Sequence, residues 1–128
     1  MNVINFAGKS FTVSKVICVG RNYVDHIKEL NNDIPREPII FLKPNSAVTD
    51  CIHSFKEHVE YEAEISFLIV EKKLFAIALG IDFTKRKIQK DCITKGHPWE
   101  VAKAFNHSAV FSPFIEVPKN LSNLSFNF

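Results

Sequence analysis

Glu60-Tyr61-Glu62-Ala63-Glu64-Ile65-Ser66-Phe67-Leu68-Ile69-Val70 places carboxylates at alternate positions and then runs into an apolar stretch. In an extended strand, alternate side chains share a face. Glu60, Glu62 and Glu64 then line one side, while Tyr61, Ala63 and Ile65 pack on the other. Neighbours on one face stand about 6–7 Å apart, close enough for like charges to repel. Glu is also depleted in strands. Solvent, basic partners or a divalent cation must offset the repulsion, and hard cations prefer carboxylate oxygens. The simplest reading is a solvated strand face, because antiparallel sheets commonly leave one face wet. The metal reading needs a further ligand from elsewhere in the chain.

Outward from this strand, the next apolar run, Leu74 to Phe83, contains Gly80, which predicts a bulge or a close backbone approach. Asp82 stands near its end. If the two runs pair, Asp82 approaches the glutamates, and three carboxylates around one point suit Mg²⁺ or Mn²⁺. The alternative is an ordinary turn or capping aspartate. Thr84 is a candidate cap for a helix from Lys85 to about Cys92. The Lys85-Arg86-Lys87 run reads as a solvated helix start. Val13 to Val19 reads as a strand ended by Gly20, and Ile39 to Leu42 as another stopped by Pro44. Val24 to Leu30 reads as a short helix, and Asn31 to Pro38 as a loop. A helical turn is expected over Trp99 to Lys103. Late strands are expected at Val110 to Val117 and Leu121 to Phe128. The class is α+β, mainly β.

The 128 residues, 46% hydrophobic and 23% charged, fit one domain over residues 1–128. A net charge of +2 with dispersed Lys and Arg argues against a nucleic-acid binder. The apolar runs are too short to span a membrane. Cys18, Cys51 and Cys92 fit neither a zinc site nor a disulfide framework. Reduced thiols, and no secretory pattern in Met1 to Lys15, lead to the expectation of a cytoplasmic protein.

Two further constellations carry chemistry. His26 and Glu29, three apart on the early helix, share a face, and a carboxylate beside an imidazole orients it as a general base needs. A chance surface pair reads the same. Lys103 in Ala102-Lys103-Ala104-Phe105 is a lone lysine among apolar residues. Such a side chain usually snorkels to water; buried near a metal it steadies an oxyanion instead.

In order, these segments resemble the fumarylacetoacetate hydrolase family. The blocks are Cys18-Val19-Gly20-Arg21-Asn22-Tyr23 with His26 and Glu29; Phe41-Leu42-Lys43-Pro44; Tyr61-Glu62-Ala63-Glu64; Gly80-Ile81-Asp82-Phe83-Thr84 with Arg86 and Gln89; and Lys95-Gly96, Pro98-Trp99 and Ala102-Lys103-Ala104-Phe105. The resemblance implies a mixed β-sandwich or roll with short helices, its C-terminal part missing. It implies Mg²⁺ or Mn²⁺ on Glu62, Glu64 and Asp82, with Glu60 outside the ligand set. It implies His26, Glu29 and Lys103 as catalytic residues, and Arg21, Tyr23 and Arg86 as groups holding a small 2-oxo acid.

The implied activity is cleavage of carbon–carbon bonds in acylpyruvate-type 2,4-dioxo acids, or decarboxylation of oxaloacetate, through a metal-stabilised enolate. Two alternatives stand beside it: isomerisation or decarboxylation of dienoates, and a non-catalytic remnant acting as an oligomerising module. Three departures from the family pattern are visible. Glu64 and Asp82 are only 18 positions apart, with Glu71-Lys72-Lys73 passing straight into Leu74. No Thr-Gly-Thr-Pro type loop follows. Lys85, Lys87 and Asn106 replace residue types common in the family. The shortened fold, with its Phe-rich end, leads to the expectation of self-association as a homodimer.

Overall fold

The computed structural model describes residues 1–22 and 37–125. Strands β1 (Val3–Phe6) and β2 (Lys9–Thr12) form a hairpin whose two-residue turn, Ala7-Gly8, has positive φ at both positions. Strands β3 (Lys15–Gly20) and β4 (Ile39–Pro44) form an antiparallel ribbon. A 3-10 turn over Asn45–Ala47 leads into β5 (Val48–Thr49). The central pair follows: β6 (Glu60–Val70) and β7 (Lys73–Thr84). Helices α1 (Arg86–Lys95) and α2 (Glu100–Lys103) then lead to β8 (Ala109–Phe111) and β9 (Ile115–Glu116).

The sheet runs β5-β8-β7-β6, with β9 also on β7. Strand β8 is parallel to β5 and antiparallel to β7. A mainly β, α+β architecture is therefore what this chain adopts.

The register of β6 on β7 decides what the site can be. Glu62 stands directly opposite Asp82, and Glu64 opposite Gly80. Cross-strand partners point to the same side, so the short connection has not turned Asp82 away from the glutamates. Glu71 and Lys72 close the hairpin in a two-residue turn, both at positive φ. The register shift falls between Leu68 and Ile69. Gly80 marks the other alternative, a close approach, because an added Cβ would meet Ser66 Oγ.

The carboxylate face is the inward one. Further along it, Leu68, Ala76 and Ala78 pack with Phe111, Phe114, Ile4 and Phe6. Tyr61, expected to pack, is 72% exposed, whereas Glu62 is only 26% exposed. The solvated-face reading is thus corrected: basic side chains cover the glutamates, as described below.

Four boundaries also differ from expectation. Thr84 ends β7 rather than capping a helix; Lys85 precedes α1 without a side-chain cap, and α1 runs on to Lys95. Gly96, left-handed at φ 66°, stops it. Ser112 and Pro113 split the expected strand over Val110 to Val117 into β8 and β9. Leu121–Asn123 is a 3-10 turn capped by the Asn120 side chain, not a strand. The expected helix over Val24 to Leu30 lies outside the described residues. No helix among the described residues is long and apolar enough to cross a membrane.

Candidate metal centre

Two lysines meet at Asp82. Lys103 Nζ lies 2.6 Å from Asp82 Oδ2 and Lys43 Nζ 2.8 Å from Oδ1. All three side chains are buried. Asp82 stands third from the end of β7, Lys43 on β4, and Lys103 on the last turn of α2. Lys103 does not snorkel: it is 2% exposed, donates to Thr84 Oγ1 at 2.6 Å, and passes 4.8 Å from the centre of the Phe41 ring.

Lys43 is the functional residue that sequence reasoning passed over. Its ammonium donates to the carbonyls of Phe83 (3.1 Å), Lys103 and Ser108 (3.1 Å) and to Ser108 Oγ (3.0 Å). It gathers the ends of β7 and α2 and the start of β8 onto one charge. Burial pushes its pKa down, and the Asp82 carboxylate pulls it back up, leaving it below the ordinary lysine value. One signal was available: Lys43 is in phase with Ile39 and Phe41, so it shares their half-buried strand face.

Glu62 receives cations from two sides. Arg86 bridges it to Glu60, donating from one nitrogen to Glu62 Oε1 and from Nε to Glu60 Oε2 at 2.9 Å. Lys103 Nζ is 3.5 Å from Glu62 Oε2. Burial raises the Glu62 carboxyl, but the Lys103 charge and the Arg86 guanidinium outweigh it and hold it below the ordinary value of 4.5. The Lys85-Arg86-Lys87 run is therefore not simply solvated: Arg86 serves the site, and Lys85 pairs with Glu57 at 3.2 Å. Cys18, on the inner face of β3, feels both Asp82 and Glu64; burial first, and then those charges, push its thiol up to about 12.

The described residues thus bring Glu62, Asp82, Arg86 and Lys103 together, with Glu64 on the same face. Arg21 is exposed, left-handed at φ 52°, directly after β3. Tyr23, His26 and Glu29 lie outside the described residues. No three His, Cys, Asp or Glu side chains close into a ligand cluster among the described residues, and Lys103 stands between Glu62 and Asp82. The donor set nevertheless fits a hard divalent ion. Its oxygens are all carboxylate, the donor type such ions prefer, and in this structure ammonium groups occupy the positions beside them, Lys43 at Asp82 Oδ1 and Lys103 at Oδ2.

Comparison with known proteins follows the same lines. The sequence profile of the family described as Fumarylacetoacetate (FAA) hydrolase C-terminal matches residues 15–127. The chain belongs to the fumarylacetoacetate hydrolase family. Within the family, it is 38% identical over 121 residues to oxaloacetate tautomerase YcgM of Escherichia coli (strain K12), covering 82% of this chain and 55% of that protein. It is 35% identical over 126 residues to the mitochondrial oxaloacetate tautomerase oaa1 of Schizosaccharomyces pombe, covering 84% and 56%.

Among solved structures, fumarylpyruvate hydrolase from Pseudomonas aeruginosa, in complex with Mn²⁺ and pyruvate, superposes with a TM-score of 0.75 at 31% identity, covering 88% of this chain and 57% of that one. The chain spans about half the length of these relatives. Members of the fumarylacetoacetate hydrolase family are enzymes, and the Mn²⁺ in that neighbour accords with divalent-metal use in the family.

Proposed function

We propose that this chain carries the metal-binding face of an enzyme acting on small 2-oxo acids, with Mg²⁺ or Mn²⁺ held by Glu62, Glu64 and Asp82. The observation that carries the reading is the pairing of Glu62 with Asp82 on one face, its carboxylates flanked by three cations. Counted together, Glu60, Glu62, Glu64 and Asp82 against Lys43, Arg86 and Lys103 leave one net negative charge. A divalent ion turns that to one positive, which suits a dianionic substrate. When bound, the ion supplies Lewis-acid polarisation of the 2-oxo acid oxygens.

The chain's own residues do the rest. Arg86 keeps Glu62 ionised and fixes its direction, as a hydrogen-bonded partner of a ligand does. Lys43 holds the Asp82 carboxylate and, through the carbonyls of Phe83, Lys103 and Ser108, gathers the ends of three elements around it. Lys103 presents an ammonium that can neutralise a developing oxyanion. Arg21 and Tyr23 are the proposed contacts to substrate oxygens. His26 and Glu29 are the proposed pair that moves a proton.

The reaction favoured by the relatives is interconversion of the enol and keto forms of oxaloacetate, in which one proton moves between oxygen and C3 and no carbon–carbon bond breaks. Hydrolytic cleavage of an acylpyruvate is the second reading, favoured by the pyruvate held in the fumarylpyruvate hydrolase neighbour. Thermal melting with Mn²⁺ and ultraviolet assays of oxaloacetate enol and of acetylpyruvate test both. Mn²⁺ is expected to raise the melting temperature, as a ligand of the folded state must. Glu62→Gln should abolish that shift and reduce turnover more than about a hundredfold, beyond what loss of a ligand's outer partner typically costs. No shift and no turnover would leave a non-catalytic module.

A further inference from the structure

We propose that the Lys103 ammonium is the resident cation of the carboxylate slot, and that a divalent ion enters by displacing it into the neighbouring cavity. This rests on the metal reading above and adds a role for the chain's own lysine. Lys103 Nζ spans two of the three candidate ligands, 2.6 Å from Asp82 Oδ2 and 3.5 Å from Glu62 Oε2. A second cation cannot share that position without strong repulsion in a buried site.

The two lysines differ in how they are tied. Lys43 faces three carbonyls and the Ser108 hydroxyl besides Asp82, and its departure would take a charged donor from four buried acceptors at once. Lys103 Nζ has, besides the carboxylates, the neutral Thr84 hydroxyl at 2.6 Å. Lys103 is therefore the cation that can leave.

It also has somewhere to go. A cavity of about 440 Å³ is lined by Phe41, Trp99, Glu100 and Lys103 itself, together with the β4 residues beside Phe41. The Phe41 ring already lies 4.8 Å from Nζ, and its face retains a cation as the side chain swings. Glu100 supplies a carboxylate on the cavity wall. Metal entry thus delivers the lysine from the ligand slot to the space beside it, so that occupancy of the slot and presentation of the ammonium are one event.

Calorimetric or electron-spin titration of the full chain with Mn²⁺ tests this without reference to turnover. Lys103→Met, which keeps the length of the side chain and removes its charge, should bind Mn²⁺ at least about tenfold more tightly than the natural chain. Turnover should fall in the same variant, so that affinity and activity move in opposite directions. Thr84→Val, which removes the neutral tie, should tighten Mn²⁺ severalfold and decides the matter alone if Lys103→Met does not fold. Glu62→Gln should lose the binding in either background.

Equal or weaker Mn²⁺ affinity in both variants, with Glu62-dependent binding in the natural chain, would overturn the displacement and leave the metal reading intact. Absence of Mn²⁺ binding from every chain would overturn both.

Discussion

Cys18 shows how far one residue's environment departs from its type. A thiol pushed up to about 12 by burial and by Asp82 stays protonated well above neutrality. The nucleophilic form of cysteine is the thiolate, so Cys18 is expected to resist alkylation. Cys51 is exposed and should react first. Mass spectrometry after timed iodoacetamide treatment at pH 8 checks the order; labelling of Cys18 in the native state at the rate of Cys51 would contradict it. The linkage has a definite sign. Between the ordinary value of 9.0 and about 12, the unfolded chain loses this proton while the folded chain keeps it. The folded state's advantage therefore shrinks as pH rises through that window. Cys18→Ala or Cys18→Val should flatten the fall in melting temperature above the ordinary thiol value of 9.0.

At the same scale, the sequence was informative where chemistry is written locally. Glu62, Glu64 and Asp82 stand out because carboxylates in strands need partners, and Lys103 because a charge sits among apolar residues. Lys43 did not stand out. Its burial depends on Phe83, Lys103 and Ser108, all 40 or more positions away, and nothing near Lys43 in the chain reports them. Thr84 was misassigned for a related reason. A threonine before a basic run looks like a cap, until a lysine from 19 positions away claims its hydroxyl.

At the scale of elements, the longer strands β3, β4, β6 and β7 followed the apolar pattern, and the failures fell at turns and short elements: β1 and β2 were not anticipated, and Leu121–Asn123 is a 3-10 turn rather than a strand. The β1–β2 hairpin and the split between β8 and β9 are set by short segments with weak periodicity. The β6–β7 turn is the most consequential, because it fixes Glu62 opposite Asp82. It does so with Glu71 at φ 49° and Lys72 at φ 63°, positions that favour Asn and Gly. Each side chain there carries left-handed strain of roughly 1 kcal/mol. Replacing the pair by Asn-Gly keeps the two-residue connection and relieves that strain. The double variant is expected to gain about 1 kcal/mol in urea unfolding, part of the relief being offset by the flexibility of glycine in the unfolded chain. A loss of stability would show that the turn is not the tight hairpin that positions Asp82.

At the scale of the molecule, the β3–β4 ribbon has two unlike faces. Cys18, Phe41 and Lys43 point toward the carboxylate site. Ile17, Val19, Ile40 and Leu42 form the other face and are 63, 39, 54 and 49% exposed. The register places Ile17 opposite Leu42 and Val19 opposite Ile40, so the four make one continuous apolar patch. Fully burying such side chains is worth about 1.5–3 kcal/mol each, which makes this patch a candidate association surface. The homodimer expected from the sequence is accordingly proposed to use it. Ile17→Lys combined with Leu42→Glu removes the apolar surface while placing opposite charges across the ribbon, where they support the strand pair. Sedimentation velocity over a range of concentrations should show association in the natural chain and a shift toward monomer in the double variant, with the circular dichroism spectrum unchanged. Identical sedimentation of the two chains would remove this face from the interface.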